Sequence, residues 1–340
     1  MNGAEIGVLG AGGYLPAEVR DNEAVGAFAG VGADWILRRT GVRFRRRAAE
    51  HEAASDLAAH AVRAALHAAA LDPAELDLLV LATSTPDDLG PSTACRVQAL
   101  IGARRAVALD VGAACSGWLF GARIAVDWLR SGNAGHRSVT AAVVGVEAYS
   151  RFLDPADRGT AVLFGDGAGA TVLGPVPAGR GFAPIALGSD GTKADYVSIP
   201  AGGSRRPATA ATLAEGRHLI RMDGRAVREF ALDVFPRTVQ ETLHRCGLEP
   251  ADIDLVVSHQ PNPVLLAEAC AAAGLDRDRL VVTGDRTGNL GAGSIPYTLA
   301  AADAAGRLHP GDRVLIIAFG AGMTWGGTVL TWSRPSADGD

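Results

Sequence analysis

Three side chains in this sequence suit acyl chemistry: Cys115, His259 and Asn289. Cys115 lies in "DVGAACSGWLFG" (110–121), between an apolar run, "RAVALDV", and a helical pattern carrying Trp118, Leu119, Ile124, Val126 and Leu129. A thiol at a helix start meets the positive end of the helix dipole and unpaired backbone N–H groups, and both favour thiolate. Ala113, Ala114, Ser116 and Gly117 are small and leave room for a substrate. A buried structural cysteine is the competing reading of this stretch. His259 closes an apolar strand pattern in "VVSHQPNP", where a core histidine is the alternative to a functional one. Asn289 lies in "RTGNLGAG", where Gly-Asn is also ordinary turn chemistry. Together they make a Cys–His–Asn set, and spacing alone leaves open a hydrolase-type use with His as base and Asn as its orienter. Cys95, Cys246 and Cys270 lie within or near the ends of helical patterns and read as packing.

The elements that position these residues occur twice. "ALHAAALDPAELDLLVLATSTP" (65–86) matches "TLHRCGLEPADIDLVVSHQPN" (242–262), with Leu71, Pro73 and Asp77 each 177 residues before Leu248, Pro250 and Asp254. "GDGAGATVLG" and "AGMTWGGTVLTW" also rhyme. Self-similarity at half the chain length predicts a duplicated α/β unit. The halves are 1–175, carrying the cysteine, and 176–335, carrying His and Asn, with a frayed tail at 336–340. Strands such as "LDLLVLA", "AVVGVEA" and "RVLIIAFG" are apolar throughout, which predicts sheets covered by helices on both faces. Chemistry in such architectures collects at strand ends, where Cys115, His259 and the glycines after Phe319 fall. A Gly-, Pro-, Ser- and Arg-rich stretch, "GSDGTKADYVSIPAGGSRRPATAATLAEG", reads as irregular and either functional or mobile.

Composition narrows the function classes. The chain has 340 residues, a net charge of −5 and 48% hydrophobic residues, so nucleic acid and anionic membranes are disfavoured as partners. No apolar run reaches membrane-spanning length, and the N-terminus lacks the basic region of a secretory signal. Four scattered cysteines without CxxC spacing suggest reduced thiols in a cytoplasmic protein. "GVLGAGGYLP" imitates a dinucleotide fingerprint, but Leu15 replaces the third Gly and Pro16 blocks the expected helix.

"DVGAACSGW", "DRGTAVLFGDGAGA", "SHQPN", "RTGNLGAGSIP" and "FGAGMTWG" occur in that order. In this the chain resembles the β-ketoacyl-acyl carrier protein synthase III family of condensing enzymes, over nearly its whole length. The resemblance implies a thiolase fold, two duplicated halves stacked as five layers, α-β-α-β-α. It implies that Cys115 takes an acyl group from a coenzyme A thioester, with an oxyanion hole from the backbone N–H groups of Cys115 and Ala321. His259 and Asn289 would then hydrogen-bond a malonyl thioester, on an acyl carrier protein, and stabilise the enolate left by loss of carbon dioxide. Phe319 and Gly322 would shape the site. Trp35 and Arg158 would sandwich the adenine of coenzyme A, with Arg39 and Thr40 on the phosphate side and Asn262 beside the pantetheine arm. Leu89 and Gly90 would reach across a homodimer interface to line the partner's acyl pocket. No metal and no cofactor is implied, coenzyme A entering as a thioester substrate.

The departures from the family pattern concern docking. "RMDGRAVREF" sets Arg228 beside Glu229 where a basic residue is usual, Val264 replaces a frequent Arg, and Ile317 a frequent Glu. These predict weaker or displaced carrier-protein docking. The rival activity is non-condensing acyl transfer from Cys115 to a hydroxyl, amine or thiol. Retention of both His259 and Asn289 favours condensation, because simple transfer has no enolate to stabilise. A thiolase is disfavoured because "FGAGMTWG" lacks a second cysteine.

Overall fold

The apolar strand runs assemble into two five-stranded sheets in the computed structural model, which describes residues 5–131 and 139–334. The proposed frayed tail, 336–340, lies outside the described residues. The first sheet has the order Glu5–Tyr14, Gly167–Val176, Ala141–Glu147, Leu78–Ala82, Val107–Val111. Leu78–Ala82 runs parallel to both of its neighbours, and the remaining pairs are antiparallel. The second sheet repeats this plan. Leu255–Ser258 is parallel to Arg313–Gly320, which pairs antiparallel with Thr324–Thr331, and that strand pairs with Gly181–Phe182 and Ala186–Ser189.

Strand periodicity sorts the side chains into layers. Val80 and Val143 of the first sheet and Val257 and Ile316 of the second face a shared central core. Two helices fill it, Gly117–Arg130 through Trp118, Leu119 and Val126, and Ser294–Ala304 through Ile295 and Leu299. The alternate residues Leu79, Leu81 and Val144 face outward onto Leu57, Val62 and Leu66 of the helix Ala54–Ala68. On the other side Val256, Leu315 and Ile317 pack against Phe235 and Val239 of the helix Gly224–Cys246 and Leu266 of the helix Pro263–Ala272. Helix, sheet, helix, sheet, helix is the five-layer order, and the chain has the thiolase fold.

The 177-residue offset persists through the elements. It relates the starts of strands Leu78 and Leu255, of 3-10 turns Ala114–Ser116 and Gly291–Gly293, and of the buried helices at Gly117 and Ser294. Ala292 is therefore the twin of Cys115. The halves differ at one sheet edge. Val107–Val111 is a full strand in the first sheet, whereas the second has a single bridge between Val256 and Leu280. "GVLGAGGY" is one continuous strand followed by another short strand, so no dinucleotide turn forms there. Among the described residues no helix is long and apolar enough to cross a membrane.

Candidate active site

Cys115 sits in the 3-10 turn Ala114–Ser116 that links the strand Val107–Val111 to the central helix Gly117–Arg130. Ala114 takes a left-handed φ of 46°, which turns the chain sharply and presents the thiol to a cavity of about 830 Å³. The same cavity is lined by His259, Asn289, Phe319 and Ala321, all from the second half. Trp35, Arg39, Thr40, Arg158 and Asn262 line it as well.

His259 follows the strand Leu255–Ser258, and its backbone N–H donates to the Ile317 carbonyl at 3.0 Å. Its ring lies edge-on to Phe319, 5.2 Å between centroids, and Phe319 is braced in turn by Phe235 at 6.2 Å. Burial pulls the imidazole down to about 3, so it is neutral at physiological pH and keeps one N–H to donate. Asn289 is pinned by its backbone. Its N–H donates to Leu163 O at 2.8 Å and its carbonyl accepts from Gly165 N at 3.1 Å. Its Oδ1 accepts from the Gly291 N–H at 2.8 Å, which leaves the Nδ2 hydrogens as the donors it can offer.

Burial, and next the Glu147 carboxyl, push the Cys115 thiol up to about 12. This corrects the expectation of a ready thiolate. The helix start is present, but desolvation disfavours the charged form more strongly. The resting thiol keeps its proton and must lose it as it attacks.

Two sequence-predicted roles are altered by local bonding. Thr40 is buried, and its hydroxyl donates to Ile36 O at 2.7 Å and accepts from Val42 N–H at 3.0 Å, so it is occupied in ending its own helix. Asn262 caps the helix Pro263–Ala272 by accepting from Leu265 N–H at 2.9 Å, which leaves its amide NH₂ toward the cavity. Leu89, Gly90 and Gly322 do not line this chain's cavity. Leu89 is 87% exposed, and a side chain added at Gly90 would meet only open space. The mouth cation Arg228 is paired with Glu268 at 2.6 Å, not with its sequence neighbour Glu229, which pairs with Arg225 at 2.9 Å. The stretch read as irregular supplies cavity wall through Val197, Ser198 and Ile199.

Sequence reasoning missed four residues. Thr324 holds the nucleophile turn to the glycine loop, its hydroxyl 3.1 Å from both the Ala113 and Ala321 carbonyls. Ser84 and Tyr149 line the cavity beside Cys115, and Glu147 lies buried behind them. A signal for Glu147 was present, since an acidic residue ends a strand that is apolar throughout.

Two family models match the chain. The model for 3-oxoacyl-[acyl-carrier-protein (ACP)] synthase III covers residues 109–191, and that for its C-terminal region covers 243–332. A β-ketoacyl-[acyl-carrier-protein] synthase III of Caldanaerobacter subterraneus is 42% identical over 96% of this chain and 98% of its own. An acetoacetyl CoA synthase of a Streptomyces species is 43% identical over 98% of this chain and 100% of its own. The 3-oxoacyl-(acyl carrier protein) synthase III of Pseudomonas aeruginosa superposes with a TM-score of 0.89 at 38% identity, covering 97% of this chain and 99% of that one. The priming β-ketosynthase of the R1128 polyketide pathway gives 0.87 at 32% identity, with 98% of both chains covered.

Proposed function

The chain belongs to the 3-oxoacyl-[acyl-carrier-protein] synthase III family, and on that premise we propose that it condenses an acyl starter with a malonyl thioester in fatty-acid or polyketide initiation. The observation that carries this reading is the meeting of Cys115, His259 and Asn289 in one cavity, with the Asn289 amide pinned as a donor.

In the first step Cys115 Sγ attacks the carbonyl of an acyl-coenzyme A. Backbone N–H groups of Cys115 and Ala321 hold the oxyanion, and the coenzyme A thiol leaves with the proton. A malonyl thioester then enters, its carbonyl oxygen accepting from neutral His259 and from Asn289 Nδ2. The bond to its carboxylate breaks, carbon dioxide leaves, and the electron pair forms an enolate held by the same two donors. The enolate carbon attacks the acyl carbonyl, and Cys115 departs and regains a proton. A neutral histidine suits this role, because it donates without drawing a counter-charge into a buried site. Non-condensing transfer would give the pinned Asn289 amide no task.

The mouth favours a second reading of the donor of the malonyl unit. Glu268 neutralises Arg228, and Val264 beside it is apolar. An acidic carrier protein finds little uncompensated charge at Arg228 itself, Arg39 and Arg158, unpaired among the described residues, serving coenzyme A instead, so a malonyl unit on coenzyme A competes as substrate. The free edge strand Val107–Val111, with Val107 49% exposed, supports pairing with a second copy as a homodimer.

Intact-protein mass spectrometry after incubation with a panel of acyl thioesters tests the reading. One acyl adduct is expected, absent in Cys115→Ala and slow in Cys115→Ser. Added malonyl thioester should discharge it with release of carbon dioxide. An adduct on another cysteine would overturn the assignment.

A further inference from the structure

Glu147 ends the strand Ala141–Glu147 with no solvent exposure, and no cation lies beside it among the described residues. Its carboxyl is held by hydrogen-bond donors instead. The Ser84 N–H lies 3.1 Å from each oxygen, the Thr85 hydroxyl 2.9 Å, and the Thr83 hydroxyl and Ala292 N–H each 3.4 Å. Two residues on, the Tyr149 hydroxyl faces this carboxyl on one side and the Cys115 thiol on the other. Both groups press on the loop that carries Asn289. A Cβ at Gly291 would fall 2.5 Å from the Tyr149 hydroxyl and 2.8 Å from Glu147 Oε1. Gly291 also has a left-handed φ of 51°, close to the 46° of its twin Ala114, so it is the contact with these two side chains that excludes a Cβ there.

A phenol has one proton and serves one acceptor at a time. An ionised Glu147 draws that proton to itself and repels a thiolate. A neutral Glu147 releases Tyr149 to donate to sulfur. We propose that Glu147 is a positioning residue whose charge state decides whether Tyr149 donates to the Cys115 sulfur, and so sets how readily the nucleophile ionises.

The surroundings fit that role. Burial pushes the Glu147 carboxyl up to about 7, within the working range of an enzyme. The titratable groups facing it are Tyr149 from its own segment and Cys115 from the nucleophile turn. The hydroxyls of Thr83 and Thr85 and the main-chain N–H groups of Ser84 and Ala292 are neutral. His259, on the same cavity, is neutral as well.

The proposal rests on Cys115 as the acylated thiol, and its test reads the thiol without any acyl transfer, so the two readings fail separately. The rate of iodoacetamide alkylation at Cys115, located by peptide mass, is measured against pH in the full chain. Glu147→Gln keeps the shape and one accepting oxygen and removes the charge. It should alkylate about tenfold faster than wild type at pH 8, equivalent to about one pKa unit. Tyr149→Phe should alkylate more slowly than wild type below about pH 7, where Glu147 is neutral, and approach the wild-type rate at pH 8, and the double variant should lose the gain. A pH–rate profile for Glu147→Gln that coincides with wild type overturns the proposal. So does a gain that survives in the double variant. Should Glu147→Gln fail to fold, Tyr149→Phe alone decides, since a wild-type rate in that variant below about pH 7, where Glu147 is neutral, removes the link to sulfur.

Discussion

A Cβ on Gly320 would lie 2.7 Å from the backbone nitrogen of Cys115 and 3.0 Å from its Cβ. The end of the strand Arg313–Gly320 of the second half is thus pressed onto the nucleophile turn of the first, with space for hydrogen alone. Thr324 fastens the same junction, and the Ser116 hydroxyl donates back to Thr324 O at 3.2 Å. The active site is a joint between the two halves, and its geometry depends on how closely their backbones approach.

Gly320→Ala should therefore damage chemistry more than folding. The added methyl displaces Cys115 and its N–H, and misplacements of that order can cost about 100-fold in rate. Overpacking itself costs about 1–3 kcal/mol. Rapid-quench mass spectrometry should show slow acyl loading in a protein whose melting temperature falls by only a few degrees. Native loading would mean that the neighbouring chain yields without moving the thiol.

His259→Ala and Asn289→Ala should both still load acyl groups and fail at the next step. Loss of one oxyanion donor costs about 100–1,000-fold, and carbon dioxide release from a malonyl thioester is the measurement. Native release in both variants would remove the enolate role and favour simple acyl transfer.

Sequence pattern reached far into the fold because the signals were redundant. The 177-residue offset, set by Leu71 and Leu248, also relates the turns that begin at Ala114 and Gly291, so one repeat organised both halves. Cys115 and His259 were legible because each follows a strand, and Asn289 because it lies in a loop of small residues. Side-chain bonding was not legible. That Thr40 spends its hydroxyl on Ile36 O, four residues back in its own helix, depends on a rotamer choice that residue type alone does not fix. That Arg228 chooses Glu268 over Glu229 depends on which helices meet in space. The protonated state of Cys115 was hidden for a similar reason. A helix start can be read from sequence, whereas the burial that outweighs it comes from residues throughout the chain.

Glu147 and His259 pull acid stability in opposite directions. The carboxyl rises from 4.5 to about 7 on folding, so the folded state holds more protons in that interval. Its contribution is fully present below 4.5 and is lost as pH rises through 7. His259 falls from 6.5 to about 3, so its contribution is present above 6.5 and is lost as pH drops toward 3. Glu147→Gln should thus gain stability relative to wild type as pH rises from about 5 to about 8. Denaturant melts at the two pH values check the sign, and an unchanged difference would mean that the carboxyl titrates normally.

The loop of Leu89 and Gly90 should matter to acyl length only in a dimer. Asp110 ties it to the edge strand Val107–Val111, accepting from the Ser92 hydroxyl at 2.7 Å and from Ala94 N–H at 2.8 Å. Gly90→Phe has open space in its own chain. It should leave acetyl loading intact and shorten the longest chain accepted, with sedimentation showing a dimer. An unchanged chain-length profile would place the acyl pocket elsewhere.

Coenzyme A should be read at the cavity mouth by Trp35, Arg39 and Arg158, all of which line it. An adenine is a flat π-face, and an indole and a guanidinium are flat partners for it. Its phosphates need fixed positive charge, which arginine supplies at any physiological pH. Arg39 and Arg158 are exposed, and no ion pair engages either among the described residues, in contrast to Arg228. The discriminating measurement compares one acyl group carried on coenzyme A and on pantetheine alone. Trp35→Ala combined with Arg158→Ala should raise KM for the coenzyme A form by about tenfold or more, the range expected for lost stacking and cation–π contact. It should leave KM for the pantetheine form and kcat for both nearly unchanged, because the nucleotide binds far from the thiol and contributes equally to ground and transition states. Equal losses with both donors would assign these residues to the wall of the channel instead of to the nucleotide.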